Sequence, residues 1–432
     1  MASSNLNTIL SKIQRYHPKY IDLKLDRMFR ILNDLGNPHH SLPPTIHVAG
    51  TNGKGSTIAF LRSMLENSGL LVHTYTSPHL VRFNERIRLN GKLISDEFLY
   101  KTLVKVDKIN NGKEITFFEI TTAAAFLAFS SIKADILLLE VGLGGRLDAT
   151  NVLPNALASI ITEISFDHEH FLGTTLTSIT KEKCGIIKDN TPVLTINSKK
   201  EIKREIKKTS QKRDSELFFL DKDKFKINDE KSFSFILNHR EIIVPNPPLI
   251  GKHQLENCAL AIASLILVSK KVNKIKLNKC FTGLKFTSWP ARTQILNYGK
   301  LVDKIIDKKR IVMLDGAHNV SGAKALREAL SKIDDNWILI FGYLRTRRPD
   351  EYLQEMHTIS KKIITTRIPG DVDCYSPSEL SKVATKKGFE ISESNNIVEA
   401  IDIAQKSKLN ICVCGSLYLA GSFLSFNDTI PN

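Results

Sequence analysis

The segment Thr45-Ile46-His47-Val48-Ala49-Gly50-Thr51-Asn52-Gly53-Lys54-Gly55-Ser56 is the most informative part of the sequence about the fold. Its first five residues have the composition of a strand, and an apolar-periodic helix follows from Ser56 to Asn67 and stops at Gly69. A glycine-rich turn between a strand and a helix lets backbone N–H groups wrap a phosphate, while the helix dipole favours its negative charge. We therefore predict a phosphate-binding loop in an α/β domain with a parallel sheet.

This loop departs from the strict pattern G-x-x-x-x-G-K-[ST], because Val48 stands at the first glycine and Gly55 follows the lysine directly. The glycines still permit a close backbone approach, and Lys54 still brings a positive charge to the β- and γ-phosphates. Ser56 or Thr57 can reach a metal ion. The residues that we expect to contact ATP here are Thr51, Asn52, Gly53, Lys54, Gly55 and Ser56.

Strand-like and helix-like segments alternate on both sides of the loop, which is typical of an α/β fold with a parallel sheet. Continuous apolar runs, characteristic of strands buried on both faces, lie at residues 136–141 and 156–161. Polar turns and short alternating runs over residues 221–248 predict a β-rich excursion. Residues 253–268 form a helix that is apolar almost all round, so we expect it to be buried.

The character of the sequence changes around residues 288–290, and a second series of strands and helices runs from residue 311 to 414. We therefore predict two domains, in line with ordinary domain sizes. Residues 1–288 are expected to form a P-loop ATPase domain with a parallel sheet, including an N-terminal segment. Residues 289–432 are expected to form a smaller, Rossmann-like α/β domain.

The composition is that of a globular protein, with 42% hydrophobic and 25% charged residues in a chain of 432. No apolar run approaches the ~18–20 residues that a membrane-spanning helix needs, and Met1 to Lys12 lacks the layout of a secretory signal. The six cysteines form no C-x-x-C pair, so neither a zinc ribbon nor a disulfide framework is expected. These features predict a cytoplasmic protein with no membrane partner.

The formal net charge of +16 raises the alternative of a nucleic-acid partner. The lysines are dispersed along the chain, however, and no aromatic residues interleave with them as they do in single-strand binders. The densest run, Lys199 to Arg213, also contains acidic residues and is typical of a solvated helix with one apolar edge. We therefore expect no nucleic-acid partner, although a basic surface would attract anionic substrates.

Polar side chains follow the predicted strands at the edge where ligands of open α/β sheets gather. Ser77 follows the strand at residues 70–75, Glu140 closes the next one, and His168 follows the strand at residues 156–161. Magnesium prefers carboxylate, hydroxyl, water and phosphate oxygens, so Glu140 and Ser77 suit it well, whereas a histidine is a less usual ligand. The pattern predicts a magnesium site near the phosphate loop.

The segments 50–56, Thr76-Ser77-Pro78-His79-Leu80, 140–151 and Asp167-His168 resemble, in this order, motifs of the bifunctional dihydrofolate synthases/folylpolyglutamate synthases of the Mur ligase superfamily. The resemblance spans nearly the whole chain. It implies a ligase that uses ATP to add L-glutamate to dihydropteroate and to the glutamate tail of tetrahydrofolates, through an acyl phosphate. It also implies that Ser77, Glu140 and His168 hold magnesium and that Lys54 and His168 act in catalysis.

The segment Lys181-Glu182-Lys183-Cys184-Gly185 resembles the family's Glu-Lys-Ala-Gly sequence, with Cys184 in place of alanine. The resemblance implies that Lys183 is carbamylated and belongs to the catalytic residues. Carbamylation turns a cation into an anion that can sit beside a second magnesium ion. Because lysine reacts as the neutral amine, we expect the pKa of Lys183 to be depressed.

The folate side is indicated by two further segments. Asp22-Leu23-Lys24-Leu25 resembles the family segment that closes over the pterin, and Phe117-Phe118-Glu119 places two aromatic rings beside a carboxylate. Flat heteroaromatic rings stack on aromatic side chains, and a carboxylate can accept hydrogen bonds from an aminopterin edge. The resemblance therefore implies that these residues, together with Asp148, bind dihydropteroate.

More distant motifs resemble the family's other ATP contacts. Asn257 can pair with an adenine edge through its amide, and the planar guanidinium of Arg292 suits phosphate oxygens. Asp315 and His318 follow a predicted strand, and in the family these residues meet the nucleotide from the second domain. We expect domain closure to bring Arg292, Asp315 and His318 to ATP.

One stretch departs from the family, because residues 345–350 read Arg-Thr-Arg-Arg-Pro-Asp where an Asp-Lys-Asp-like sequence is common. This departure leaves the glutamate-binding residues open. Three alternatives also remain: a chain with only one of the two activities, a ligase of peptidoglycan precursors, and a nucleotide-gated binding protein for anionic polymers. Only about a tenth of the chain precedes Gly50, too little for the nucleotide-sugar domain that the peptidoglycan alternative requires. We expect the protein to act as a monomer.

Overall fold

Strand β1, Thr45–Ala49, lies inside the larger sheet and is buried along its whole length. A computed structural model of the chain describes residues 2–17, 21–229, 231–370 and 372–432. The other strands of this sheet are β2 Val72–Tyr75, β3 Ile87–Leu89, β4 Lys92–Leu93, β5 Ile136–Glu140, β6 Ala158–Ile161, β7 Val193–Thr195 and β8 Leu217–Phe219.

Over the described ranges the order of these eight strands is β4-β3-β2-β5-β1-β6-β7-β8. Strands β2, β5, β1, β6, β7 and β8 are parallel, while β3 and β4 form an antiparallel ribbon at one edge. The register pairs Val48 of β1 with Glu140 of β5, and Ala49 of β1 with Ile161 of β6. The segments that follow these strands therefore start at the same edge of the sheet, where the phosphate loop begins.

Helices alternate with the strands, as the sequence predicts. The helix after β1 starts at Lys54, two residues earlier than expected, because the turn ends at Gly53. The helices up to residue 283 are α1 Ala2–Ile13, α2 Asp26–Asp34, α3 Lys54–Asn67, α4 Asp96–Asn110, α5 Phe117–Ser131, α6 Glu169–Leu172, α7 Leu176–Cys184, α8 Lys200–Lys212, α9 Lys252–Val268 and α10 Leu277–Gly283. The β-rich excursion is confirmed as an antiparallel sheet of β9 Lys226–Ile227, β10 Ser232–Leu237 and β11 Arg240–Pro245.

The second sheet is formed by β12 Gln294–Ile295, β13 Val312–Leu314, β14 Trp337–Phe341, β15 Lys362–Thr366, β16 Glu390–Ser394 and β17 Asn410–Cys414. Within the described residues its order is β12-β13-β17-β14-β15-β16, and only β12 is antiparallel to its neighbour. Its helices are α11 Val320–Leu330, α12 Pro349–Met356, α13 Pro377–Lys386, α14 Ile397–Ala404 and α15 Leu417–Phe426. The predicted α/β class is therefore confirmed for both sheets.

The chain divides into two compact units. The first unit consists of Met1–Pro78, Asn84–Pro248 and Leu255–Thr287, and the second of His79–Phe83, Leu249–Gln254 and Ser288–Asn432.

In the described residues, no helix combines the length and the apolar character that crossing a membrane requires.

Candidate active site

The phosphate loop starts where β1 ends and is held by the segment that follows β6. The backbone N–H groups of Thr51 and Asn52 both donate to the carbonyl oxygen of Glu163, at 2.8 and 3.3 Å. The Thr162 hydroxyl donates to the carbonyl oxygen of Asn52 at 2.7 Å, and the Asn52 amide donates to the Glu163 carboxylate at 3.0 Å. These contacts fix the conformation of the loop.

Two glycines of the loop are required by their surroundings. Gly50 has φ of 151°, and a β-carbon there would overlap the hydroxyl of Thr162. Gly53 has φ of 89°, and a β-carbon there would overlap the amide oxygen of Asn257. The second contact places Asn257, which was predicted to bind adenine, directly against the phosphate loop. Its role toward adenine stays a prediction.

Lys54 and Lys183 converge on the carbonyl oxygen of Gly50. The Lys183 ammonium donates to this oxygen at 2.9 Å, and the Lys54 ammonium donates to it at 3.2 Å and to the carbonyl oxygen of Thr51 at 3.2 Å. Lys183 is only 4% exposed. Burial, and then the neighbouring charge of Lys54, lower the pKa of Lys183 from 10.5 to about 7.

Helix α7 brings Lys183 to the loop. The glycine-rich segment after β5 lies on the end of this helix, where the Arg146 N–H donates to the carbonyl oxygen of Glu182 at 2.7 Å. The Arg146 guanidinium also pairs with the Glu182 carboxylate at 3.0 Å. From the sequence alone, Lys183 could be one of many surface lysines. In the structure its amine is buried at the phosphate loop. Its carbamylation stays a prediction.

Ser77 and Glu140 lie together at the carboxyl edge of the sheet. The Ser77 N–H donates to the Glu140 carboxylate at 3.2 Å, and Glu140 is 4% exposed. Glu140 closes β5 beside Val48, two residues before the phosphate loop. Carboxylate and hydroxyl oxygens are among the donors that Mg²⁺ accepts. Thr57, in the first turn of α3, adds a buried hydroxyl with no hydrogen-bond partner among the described residues.

His168 follows β6 and stands at the start of α6 with a φ of 52°. Its Nε2 lies 3.8 Å from the Asp167 carboxylate, and its side chain is 39% exposed. The part of the chain that the structure describes has no group of three or more His, Cys, Asp or Glu side chains that could hold a metal ion. That search does not test the predicted site, because of its three ligands only Glu140 and His168 are residues of these types. The metal roles of Ser77, Glu140 and His168 therefore stay predictions.

Glu119 and Asp22, on the folate side, are tied together by an arginine that the predicted set omits. The Arg27 guanidinium donates to both Glu119 oxygens at 2.9 Å and to the Asp22 carboxylate at 2.8 Å. Glu119 also closes the capping box of α5, accepting from the Thr116 N–H at 2.8 Å. Both oxygens that were expected to face an aminopterin edge are therefore engaged within the protein, and the pterin role of Glu119 stays a prediction.

The aromatic residues of this side reach the glycine-rich segment after β5. The ring of Phe118 lies against Gly142, where a β-carbon would overlap it, and its centroid is 6.2 Å from that of Tyr75. Phe117 is half-buried. Leu23 packs against the core of the first unit, the Lys24 side chain is 61% exposed, and Leu25 directly precedes α2.

Asp148 is buried and holds the glycine-rich segment in shape. Its carboxylate accepts from the N–H of Leu143 at 2.8 Å, from the N–H of Thr150 at 3.0 Å and from the Thr150 hydroxyl. Burial raises its pKa, and these hydrogen bonds oppose the shift. The Asp148 carboxylate thus has hydrogen-bond donors within the chain. Its contact with dihydropteroate stays a prediction.

In the second unit, Asp315 and His318 follow β13, and Arg292, which precedes β12, is near enough for its charge to act on Asp315. The Asp315 carboxylate accepts from the N–H groups of Thr293 and Ala317, both at 2.7 Å. Burial raises the pKa of Asp315, and the charge of Arg292 opposes that shift. The His318 ring is fixed by Nδ1 at 2.7 Å from the carbonyl oxygen of Gly316. Their contacts with ATP stay predictions.

Residues 345–350, which differ from the family's sequence, follow β14, and the first of them, Arg345, forms ion pairs within the chain. Arg345 donates to the Glu379 carboxylate at 2.6 Å, lies 3.4 Å from Asp373 and packs over the ring of Tyr375. This arrangement lowers the pKa of Glu379 to about 2, chiefly through its hydrogen bond with Arg345. Arg345 therefore stabilises the loop, and the glutamate-binding residues stay open.

Residues that support the phosphate loop were missed by the sequence analysis. The sequence analysis did not single out Thr162, Glu163 or Ser165, whose carbonyl oxygen accepts from the Thr51 hydroxyl at 3.1 Å. Their position directly after a parallel strand was the available signal, because that edge faces the phosphate loop.

Comparison with known proteins gives matches over both units. Residues 48–265 match the family model of the Mur ligase middle domain, and residues 294–426 match that of the dihydrofolate synthetase C-terminal domain. The dihydrofolate synthetase of Saccharomyces cerevisiae is 32% identical over 430 residues, which cover 95% of this chain and 99% of the yeast protein.

Two solved structures are similar over nearly the whole length. E. coli FolC in complex with DHPP and ADP has a TM-score of 0.86 and 26% identity, covering 99% of each chain. A bifunctional folylpolyglutamate synthase/dihydrofolate synthase with Mn, AMPPNP and L-glutamate bound has a TM-score of 0.83 and 25% identity, covering 98% of each chain.

Proposed function

This chain belongs to the dihydrofolate synthase/folylpolyglutamate synthase family, and on that premise we propose the reaction that it catalyses. It is an ATP-dependent ligase that joins L-glutamate to dihydropteroate and to the glutamate tail of tetrahydrofolates. The observation that supports this reaction best is the meeting of Lys54 and Lys183 at Gly50, on the sheet edge that holds Glu140. This edge of the sheet combines positively charged groups for binding phosphate with oxygen donors for binding a cation.

The reaction proceeds in two steps. The substrate carboxylate attacks the γ-phosphorus of ATP, so that an acyl phosphate forms and ADP leaves. The amino group of glutamate then attacks the acyl carbon, loses a proton and expels inorganic phosphate as the amide forms. Phosphorylation is needed because oxide is a poor leaving group. The protein supplies positioning and positive charge rather than a nucleophile, and Lys54 faces the transferred phosphoryl group.

We propose magnesium as the cation, with two ions held by Ser77, Glu140 and His168 and by a carbamylated Lys183. A divalent cation bound here would neutralise phosphate charge during transfer. The buried Glu140 carboxylate and the Ser77 hydroxyl beside it have the hard oxygen chemistry that this ion prefers.

Glu140→Gln is expected to raise the Mg²⁺ concentration needed for half-maximal phosphate release by roughly 10- to 100-fold. The change removes a negative charge and one oxygen donor but keeps the shape of the side chain. Asp135→Asn is the matched control, since Asp135 lies just before β5 at the opposite edge of the sheet and pairs with Lys274 at 2.6 Å. An unchanged Mg²⁺ requirement in Glu140→Gln would contradict the proposed site.

A phosphate-release assay tests the function directly. Wild-type protein with ATP and Mg²⁺ is expected to release phosphate only when glutamate and either dihydropteroate or a tetrahydrofolate are both present. Each substrate is omitted in turn, and the products are identified by mass spectrometry. Turnover with a nucleotide-linked peptidoglycan precursor, or nucleotide-dependent binding of an anionic polymer without ligation, would replace the proposed function.

A second candidate function is dihydrofolate synthesis alone. It is favoured by the match of residues 294–426 to a dihydrofolate synthetase domain and by the likeness to a yeast protein of that name. In the same assay this candidate predicts turnover with dihydropteroate and none with tetrahydrofolate. We further propose that the protein is a cytoplasmic monomer, with residues 1–288 as the ATP-binding domain that includes the folate-side segment and residues 289–432 as the glutamate-ligase domain.

A further inference from the structure

Arg27 links the two folate-side segments through one guanidinium group. Nε and Nη2 bind the two Glu119 oxygens side by side, each at 2.9 Å. Nη1 binds the Asp22 carboxylate at 2.8 Å, and Nη2 also donates to the carbonyl oxygen of Asp22 at 3.0 Å. Arg27 thus joins residue 22, the first turn of α2 and the first turn of α5 at a single point.

These contacts are shielded from water. The side chains of Arg27 and Glu119 are 13% and 4% exposed. A charge pair in such a position is strong because both groups are fully engaged, and removal of one partner leaves the other charge buried and unpaired. The Nε2 atom of the neighbouring His17 lies 2.8 Å from the Glu114 carboxylate and 3.5 Å from the Asp22 carboxylate.

The elements that Arg27 joins are those proposed to contact dihydropteroate. Asp22, at the start of residues 22–25, accepts from the guanidinium, and so does Glu119, which directly follows Phe117 and Phe118 in the first turn of α5. Glu119 is held by Arg27 and by its own helix cap, so its effect on the substrate passes through the arrangement of these segments.

We propose that Arg27 is a positioning residue for the pterin-bearing substrate, which it serves by fixing residues 22–25 against the first turn of α5. This inference rests on the proposed function. A lysine can replace Arg27 only in part, because a single ammonium group cannot bind two carboxylate oxygens side by side and also reach Asp22.

Arg27→Ala is expected to raise the KM for dihydropteroate roughly 10- to 100-fold while the KM for ATP stays within about twofold. Arg27→Lys is expected to recover only part of this loss. The dissociation constant of dihydropteroate in the absence of ATP, measured by fluorescence, should rise in parallel. A merely structural role would instead lower the amount of active enzyme and leave both constants unchanged.

Glu119→Gln tests whether Arg27 acts through Glu119. Glutamine retains the helix cap but loses the charge. If the two residues work as one unit, Glu119→Gln adds little to the KM defect of Arg27→Ala; if Glu119 binds the pterin by itself, the two defects multiply and the inference falls.

Arg30→Ala is the matched control. Arg30 lies one turn further along α2 and donates to the Asn110 side chain and to the carbonyl oxygen of Glu114, away from Asp22 and Glu119. Its loss should lower the thermal midpoint without changing the KM for dihydropteroate. An unchanged KM in Arg27→Ala, with active wild type, would overturn the inference, whereas a wild type that does not use dihydropteroate would refute the proposed function instead.

Discussion

Lys54→Ala is expected to lower ATP-dependent phosphate release by about 10³-fold and to leave the fold intact. Among the described residues, the Lys54 ammonium donates to two loop carbonyl oxygens, those of Gly50 and Thr51, both at 3.2 Å. Removing it therefore costs little packing. In phosphoryl transfer the charge on the phosphate oxygens is met by fixed cations, so loss of this one raises the barrier directly.

The measurement is single-turnover phosphate transfer at saturating ATP, with circular dichroism to check the fold. Lys54→Met serves as a second variant, because it keeps most of the aliphatic stem and removes only the charge. Ser63→Ala is the control on the same helix, since the Ser63 hydroxyl donates to the carbonyl oxygen of Gly283 at 2.8 Å, far along α3. Turnover near the wild-type rate in both Lys54 variants would refute the assignment of the phosphate loop.

The sequence was sufficient to predict those parts of the structure that depend on local pattern. The sequence of residues 45–56 predicted a strand, a glycine-rich turn and the start of a helix, and apolar runs predicted the central strands. These signals work because a strand buried on both faces must be apolar and a tight turn must use glycine. The parallel register then brings Glu140 beside the loop, as the positions of the strand ends predicted.

Contacts between segments distant in sequence could not be predicted in this way. Arg27 binds Glu119 across 92 residues, and Thr162 supports Asn52 across 110. Nothing in the composition around Arg27 distinguishes it from a surface arginine. The sequence analysis expected Glu119 to accept from a ligand, and only the folded chain brings an arginine to both of its carboxylate oxygens.

The burial of Lys183 also could not be predicted from the local sequence. This burial supports a second prediction, which concerns the turnover of a Lys183 variant. Lys183→Ala is expected to lower turnover by about 10²- to 10³-fold, because the carbamate that we propose would help to hold a magnesium ion that neutralises charge on the transferred phosphate. The carbamate forms when the neutral amine adds to CO₂ and releases a proton. With a pKa of about 7, roughly half of the amine is neutral at pH 7, against roughly one in three thousand for an ordinary lysine.

Carbamylation is measured by ¹³C NMR after incubation with ¹³CO₂, and by mass spectrometry of protein that has not been acidified. One labelled carbamate per chain is expected in the wild type and none in Lys183→Ala. Lys188→Ala is the matched control: burial lowers the pKa of Lys188 to about 8, but its amine faces the carbonyl oxygen of Asn151 and not the phosphate loop. A label that persists in Lys183→Ala, or is absent from the wild type, would contradict the modification.

The pH dependence of this label tests the geometry without relying on activity. A protonated amine cannot add to CO₂, so at fixed CO₂ pressure the carbamate signal should rise as the pH passes upward through about 7. The charge of Lys54 is the largest influence on the pKa of Lys183 after burial itself. Lys54→Met removes that charge, so the pKa of Lys183 should rise and the carbamate should appear only at higher pH. An unshifted midpoint in Lys54→Met would mean that the two lysines do not share the Gly50 carbonyl oxygen, and the arrangement from which both large effects are argued would be wrong.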